Sequence, residues 1–177
     1  MLMVISTIAV PVIVRSLQTY QLNSSASQLA GMMKFTKFDA IRQNTPVSCQ
    51  IVQQTNSSWL VWVDSNGNGV ADQAEPQMYI GGVFTLLPNS SVPSPTQILS
   101  SFGPGYAGSN YTWTVISGSN ATVTYDQRGV IDSYTLSVLY LGSATDPRSG
   151  YRAVVALPSG DVQVWSSSSA GDWHRVS

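Results

Sequence analysis

Residues 22–46 read LNSSASQLAGMMKFTKFDAIRQNTP, and this stretch decides the fold. Leu22, Ala26, Leu29, Met33 and Ala40 recur at helical spacing and lay one apolar stripe along a helix. Gln21, Ser24, Lys34, Lys37 and Gln43 mostly face elsewhere. From Arg15 to Asn44 the only helix-weakening residue is Gly31. Asn44-Thr45-Pro46 stops the helix, because the residue before a proline resists the α region.

Upstream, residues 1–14, MLMVISTIAVPVIV, carry no charge. Such a segment spans roughly 21 Å as a helix, short of a hydrocarbon core of about 30 Å. Pro11 predicts a kink. A signal-peptide reading lacks the positive leading region and a clean cleavage site; a buried N-terminal helix fits better. Joined to the stripe, the segment makes one helix of about 40 residues, roughly 60 Å long. One globular domain cannot bury that length. The front half must meet another partner, either lipid or other subunits.

After Pro46 the period changes to that of strands. Val47–Gln53 and Trp59–Val63 are rich in β-branched and aromatic residues, and Met78–Ile80 and Val83–Leu87 follow a Gly/Asn loop. Residues 88–110 hold four prolines among serines and glycines and read as a long exposed loop. Strands resume at Tyr111–Ile116, Ala121–Asp126, Ser133–Tyr140, Tyr151–Leu157 and Asp161–Trp165. The expected class is α+β: a helical part over 1–45, and a β-rich head over 46–177 whose antiparallel sheet or small sandwich rests on the back half of the helix.

Composition excludes several functions. Eight Lys and Arg stand against nine Asp and Glu, for a formal net charge of −1 over 177 residues. A chain this neutral has no field to attract nucleic acid. Cys49 is the only cysteine, so neither an internal disulfide nor a cysteine-based metal site is available. With one cysteine and one histidine, no nucleophile, base and orienting group assemble into an enzyme site of those types.

The order of elements resembles that of type IV pilin-like proteins, and its details resemble the GspH/FimT family of minor pseudopilins and minor pilins. The likeness runs through Ala9-Val10-Pro11, Gln28-Leu29-Ala30, Phe38-Asp39-Ala40-Ile41-Arg42, Asn44 and Pro46-Val47. It continues in Trp62-Val63-Asp64, Asn66-Gly67-Asn68-Gly69, Asp72 and Glu75-Pro76. Later, Val123–Gly129 is similar to the family's turn, and Arg152-Ala153-Val154-Val155 with Ser159-Gly160 to its closing hairpin. The resemblance implies a non-catalytic structural subunit of a type II secretion pseudopilus or a type IV pilus. It implies synthesis as a prepilin held in the bacterial inner membrane by the front of the helix, with the head in the periplasm or outside. Assembly with other pilin-like subunits through that helix follows, usually near the filament tip. A tip-binding or adhesion module using the 88–110 loop and the aromatic residues, calcium-dependent in one form, is the alternative.

The sequence departs from the family in two places. The cleavage glycine and most of the apolar stretch with its early glutamate do not occur before Ala9. Counting back from the family's Ala-Val-Pro, the resemblance implies roughly eleven further residues, a glycine and a short basic leader upstream of Met1. Second, some family members bind DNA through a basic Gly-Arg-x-Arg in the last hairpin. Gly160-Asp161-Val162-Gln163 stands there instead, so no nucleic-acid partner is expected.

The sharpest local motif is Asp64-Ser65-Asn66-Gly67-Asn68-Gly69-Val70-Ala71-Asp72-Gln73-Ala74-Glu75. It fits the twelve-residue EF-hand calcium pattern: Asp64, Asn66 and Asn68 at positions 1, 3 and 5, glycine at 6, the Val70 carbonyl at 7, Asp72 at 9 and Glu75 at 12. Alternate side chains of a tight turn converge on one centre there. A strand precedes it, and Asn-Gly pairs also make plain hairpin turns; both readings stand. Gly103–Gly108 matches G-x-G-x-x-G but lacks the strand before and helix after, and reads as loop. His174, near the end of a Ser/Gly-rich mobile segment, reads as an exposed tail residue. Cys49 reads as a small buried apolar residue. Trp59, Trp62, Tyr111 and Trp113 are spaced as strand residues; core packing is the favoured reading and a sugar-binding aromatic platform the alternative.

Overall fold

The computed structural model describes residues 2–103, 120–131 and 136–177. Helix α1 spans Leu2–Gln43, and its backbone stays helical across Pro11. Every residue of the predicted stripe, Leu22, Ala26, Leu29, Met33 and Ala40, is fully buried. Thr36 continues the stripe; its hydroxyl donates to the Met32 carbonyl at 2.8 Å, so the buried oxygen is satisfied within the helix. The helix ends as its sequence dictates. Asn44 turns left-handed, with φ 54°, and the Asn44 and Thr45 N–H groups donate back to the Ile41 and Ala40 carbonyls.

Among the described residues nine strands follow: β1 Val47–Gln53, β2 Trp59–Asp64, β3 Gln77–Ile80, β4 Thr85–Leu87, β5 Asn120–Tyr125, β6 Ser137–Gly142, β7 Tyr151–Ala156, β8 Val162–Ser167 and β9 Trp173–Arg175. They form two antiparallel sheets, in the order β3-β2-β1-β5 and β4-β6-β7-β8-β9. The back half of α1 packs against strands of both. One core results, in which Leu22, Leu29 and Met33 meet Cys49, Ile51, Val61 and Tyr125 from the first sheet and Leu139, Leu141, Val154 and Val162 from the second. The predicted strand Tyr111–Ile116 lies outside the described residues, as does the start of Ser133–Tyr140.

The second sheet is covered on both faces. Opposite α1, Val138, Tyr140, Ala153, Val155 and Trp165 form a second cluster with Leu87, Ile98, Leu99 and Trp173. This explains why β7 reads Tyr-Arg-Ala-Val-Val-Ala without alternation: all six residues are buried.

Two expectations are corrected here. The 88–110 stretch is not simply an exposed loop over its described part. Asn89–Ser91 forms a 3-10 turn and Thr96–Ser100 a short helix, α2, whose Ile98 and Leu99 are buried. The prolines and serines hid two apolar residues that cap the second sheet; residues 104–110 lie outside the described residues. The C-terminal segment is not a loose tail either. β9 pairs with β8 in the register Ser167↔Trp173 and Trp165↔Arg175, and Trp173 packs against Tyr140 with ring centroids 5.8 Å apart.

The turn after β5 joins the two sheets. The Asp126 carboxylate accepts from the Arg128 and Val130 N–H groups, and the Ile131 N–H donates to the Pro158 carbonyl at 3.0 Å. Gly160, at φ 77°, lies so close to Gly129 that a Cβ there would overlap the Gly129 carbonyl oxygen. The two turns meet because position 160 has no side chain.

Candidate functional site

Two features stand out on this frame: the loop between β2 and β3, and the face of α1 that the head leaves uncovered.

The loop begins where β2 ends at Asp64, whose side chain is buried at 4% exposure. Asp64 Oδ2 accepts the Gly69 N–H at 3.1 Å, which turns the carboxylate into the loop. Its other oxygen, Oδ1, is buried and has no hydrogen-bond partner. A buried acceptor left unsatisfied costs about 1–3 kcal/mol. Asn66 Oδ1 accepts the Asn68 N–H at 3.0 Å, and Asn68 Oδ1 the Val70 N–H at 2.8 Å, so each asparagine fixes the turn that follows it. Their amide nitrogens both donate to Asp72 Oδ2, at 2.7 and 2.9 Å. Gly69, at φ 72°, supplies the left-handed bend between the two halves. Glu75 closes the loop: Oε1 accepts the Ser65 N–H at 2.9 Å and Oε2 the Asp72 N–H at 3.2 Å. Asn66, Asn68, Asp72 and Glu75 are thus linked by hydrogen bonds, while the Asp64 carboxylate meets only the Gly69 N–H. Among the described residues, no three His, Cys, Asp or Glu side chains are gathered to hold a metal ion by themselves.

A tether from the helix reaches this loop. Asp39 Oδ2 accepts the Ser65 hydroxyl at 2.7 Å and the Gln43 amide at 2.8 Å, while Oδ1 accepts Arg42 Nε at 3.1 Å. Burial alone would raise the Asp39 carboxyl; the hydrogen bonds from Ser65, Arg42 and Gln43 and the Arg42 charge outweigh it and hold it below its ordinary value. Sequence spacing makes the Arg42 and Gln43 contacts readable, at three and four residues along one helix. Nothing in the sequence announces Ser65. A second tether lies further forward, where the buried Arg152 donates from Nε to Asn23 Oδ1 at 2.6 Å.

The other sequence candidates are not drawn together. Cys49 is fully buried, and burial pushes its thiol up to about 12 despite a hydrogen bond with Thr36. His174 sits exposed on edge strand β9 of the other sheet. Trp59 and Trp62 are core residues at 3% and 5% exposure, as expected; Tyr111, Trp113 and residues 104–108 of the glycine motif lie outside the described residues.

Ahead of Leu22 the helix carries exposed apolar residues. Ile13, Val14, Leu17 and Tyr20 are 58%, 46%, 57% and 71% exposed. On the back half, Phe35, Phe38 and Ile41 are also exposed. Among the described residues, no helix is long and apolar enough to cross a membrane.

A long N-terminal helix whose back half is sheathed by antiparallel sheets defines the type IV pilin-like class. The fold is similar to that of the type IV minor pilin FimU of Pseudomonas aeruginosa strain PAO1. In one crystal form of that protein the TM-score is 0.52 at 15% identity, over 82% of this chain and 88% of that one. A second crystal form gives 0.47 at 17% identity, over 81% and 91%. No curated protein matches the chain. The family model for the type II transport protein GspH matches residues 25–160, and the chain belongs to the GspH family. It is a structural, non-catalytic minor pilin or pseudopilin that assembles with other pilin-like subunits into a filament.

Proposed function

We propose that the front of α1 is the assembly element: it packs against the same helix of neighbouring subunits, and before assembly it lies in the bacterial inner membrane with the head outside. The observation that carries this reading is the division of one continuous helix. From Leu22 onward the stripe is sealed in the head, while Ile13, Val14, Leu17 and Tyr20 leave apolar surface bare. Removing such side chains from water contributes about 1.5–3 kcal/mol each when burial is complete. Neighbouring helices and lipid both offer that burial, and residues 1–14 carry no charge in the sequence.

The test substitutes Leu17→Asp and follows the protein into sheared filaments by immunoblot, with head stability measured in parallel. Leu17 is 57% exposed and lies outside the buried core, so the melting temperature should hold while filament incorporation falls at least tenfold. Incorporation at the wild-type level would refute the assignment.

A further inference from the structure

We propose that the Asp64–Glu75 loop is a calcium site of low affinity, in which Asp64 Oδ1, Asn66 Oδ1, Asn68 Oδ1, the Val70 carbonyl, Asp72 and Glu75 supply the oxygens. The proposal rests on two independent observations. The first is spacing: oxygen donors at positions 1, 3, 5, 7, 9 and 12 with glycine at 6 are the set that wraps one Ca²⁺. The second is the buried Asp64 carboxylate. One oxygen is pinned to the Gly69 N–H, so the group points into the loop, and the other is sealed from solvent with no partner. A buried carboxylate oxygen with nothing to accept is the residue a cation would satisfy.

The rest of the loop is compatible with an ion at that centre. An amide oxygen has two lone pairs. Asn66 Oδ1 and Asn68 Oδ1 each use one on the N–H two residues on, which leaves one on each oxygen for an ion. Asp72 is already held by the two asparagine amides, which act on its charge as a cation would. Carboxylates are few, and the neutral oxygens complete the set. The ligand chemistry is therefore hard oxygen with a low charge, which selects Ca²⁺ over transition metals. It also sets the affinity in the range of extracellular calcium modules, about 10⁻⁴–10⁻³ M. Mg²⁺ demands a smaller octahedron and sheds its water reluctantly, so this loop should discriminate against it.

The experiment uses the full chain, first stripped with chelator. At 5 mM Ca²⁺ the unfolding equilibrium constant should fall by about 6- to 50-fold for dissociation constants in that range, seen as a raised melting temperature. Terbium should bind with luminescence excited through tryptophan, since Trp62 is two residues from Asp64 on the same strand face, roughly 7 Å along β2. Ca²⁺ should then displace it. Asp64→Asn keeps the shape and removes the charge; its stability in chelator is measured separately, and its calcium response should vanish. Asp72→Asn, at a more exposed position, should weaken the response without unfolding the loop, whereas Asp146→Asn, outside the loop, should leave it intact. An unchanged melting curve at 5 mM Ca²⁺, an equal response to Mg²⁺, or a full response in Asp64→Asn would each overturn the site.

Discussion

The tether between Asp39 and Ser65 joins the helix to the loop across the β2 end, and its strength can be worked out from the contacts. Asp39→Ala removes three interactions. The Ser65 hydroxyl, 2.7 Å from a carboxylate with 1% of its side chain exposed, makes a charge-assisted hydrogen bond worth about 1.5–3 kcal/mol. The Arg42 ion pair contributes little, about 0–1 kcal/mol, because 75% of the arginine side chain is in solvent. The Gln43 contact adds about 0.5 kcal/mol. Against these, an acid near a helix C-terminus opposes the macrodipole by about 0.3–1 kcal/mol, and alanine gains about 0.5 kcal/mol in propensity. The expected net loss is about 2 kcal/mol. A double-mutant cycle with Ser65→Ala, read by urea unfolding in chelator, should give a coupling of about 1.5 kcal/mol. The cycle with Arg42→Ala should give less than about 0.5 kcal/mol. The pH dependence has a definite sign. The folded Asp39 carboxyl lies below its ordinary value of 3.8, so its stabilisation is present above that value and is lost as pH falls through the lower folded one. The stability difference between the native protein and Asp39→Asn should therefore shrink below pH 3.8. A Ser65 coupling under about 0.3 kcal/mol, or an Arg42 coupling larger than the Ser65 one, would refute the reasoning.

Gly160→Ala should destabilise the head by about 2–4 kcal/mol, because it combines a left-handed backbone with an overlap against the Gly129 carbonyl; thermal melts check this, and a loss under about 0.5 kcal/mol would show that the two turns do not meet. The chain should give no gel shift with duplex DNA at about 1 µM protein in low salt, since non-specific binding needs several phosphate contacts and the last hairpin carries Asp161; sub-micromolar binding would contradict it. The calcium response of the Asp64–Glu75 loop and the filament defect of Leu17→Asp complete the set, each with the assay given above.

The helix and most strands were legible because their signals are local and repeated. Leu22 to Ala40 sets a period that only a helix satisfies, and Asn44-Thr45-Pro46 ends it for steric reasons. Strand β1 falls on the predicted residues because Val47, Cys49 and Ile51 alternate with Ser48 and Gln50. What escaped was tertiary. Ile98 and Leu99 sit among prolines and serines, and only the second sheet's open face makes them core. Trp173 was hidden by the Ser/Gly run before it, whose turn brings β9 back onto β8. The loop's ligand spacing could be read in the sequence, but its buried, unpartnered Asp64 Oδ1 could not, because burial depends on what lies over the strand end.

If neighbours grip the helix, as proposed above, a filament subunit needs its head fixed to that helix. An apolar stripe resists separation but allows sliding and rotation, since dispersion contacts are non-directional. Directional bonds stop that motion, and they are placed far apart here. Gln18 meets Ser149 at 3.3 Å and Asn23 meets Arg152 at the forward end, while Asp39 meets Ser65 at the rear. Gln18 and Asp39 are separated by roughly 30 Å of helix at 1.5 Å per residue. The forward bonds reach the 3-10 turn Pro147–Ser149 and β7 of the second sheet, and the rear bond reaches the end of β2 in the first, so a rotation of α1 is opposed from both sheets. Loosening either end alone should leave the head folded but free to swivel. Asn23→Ala combined with Gln18→Ala should therefore speed amide exchange in the middle of α1 at little cost in global stability, with the Asp39 tether still closed. Unchanged exchange in that double variant would mean that the stripe fixes the helix without directional help.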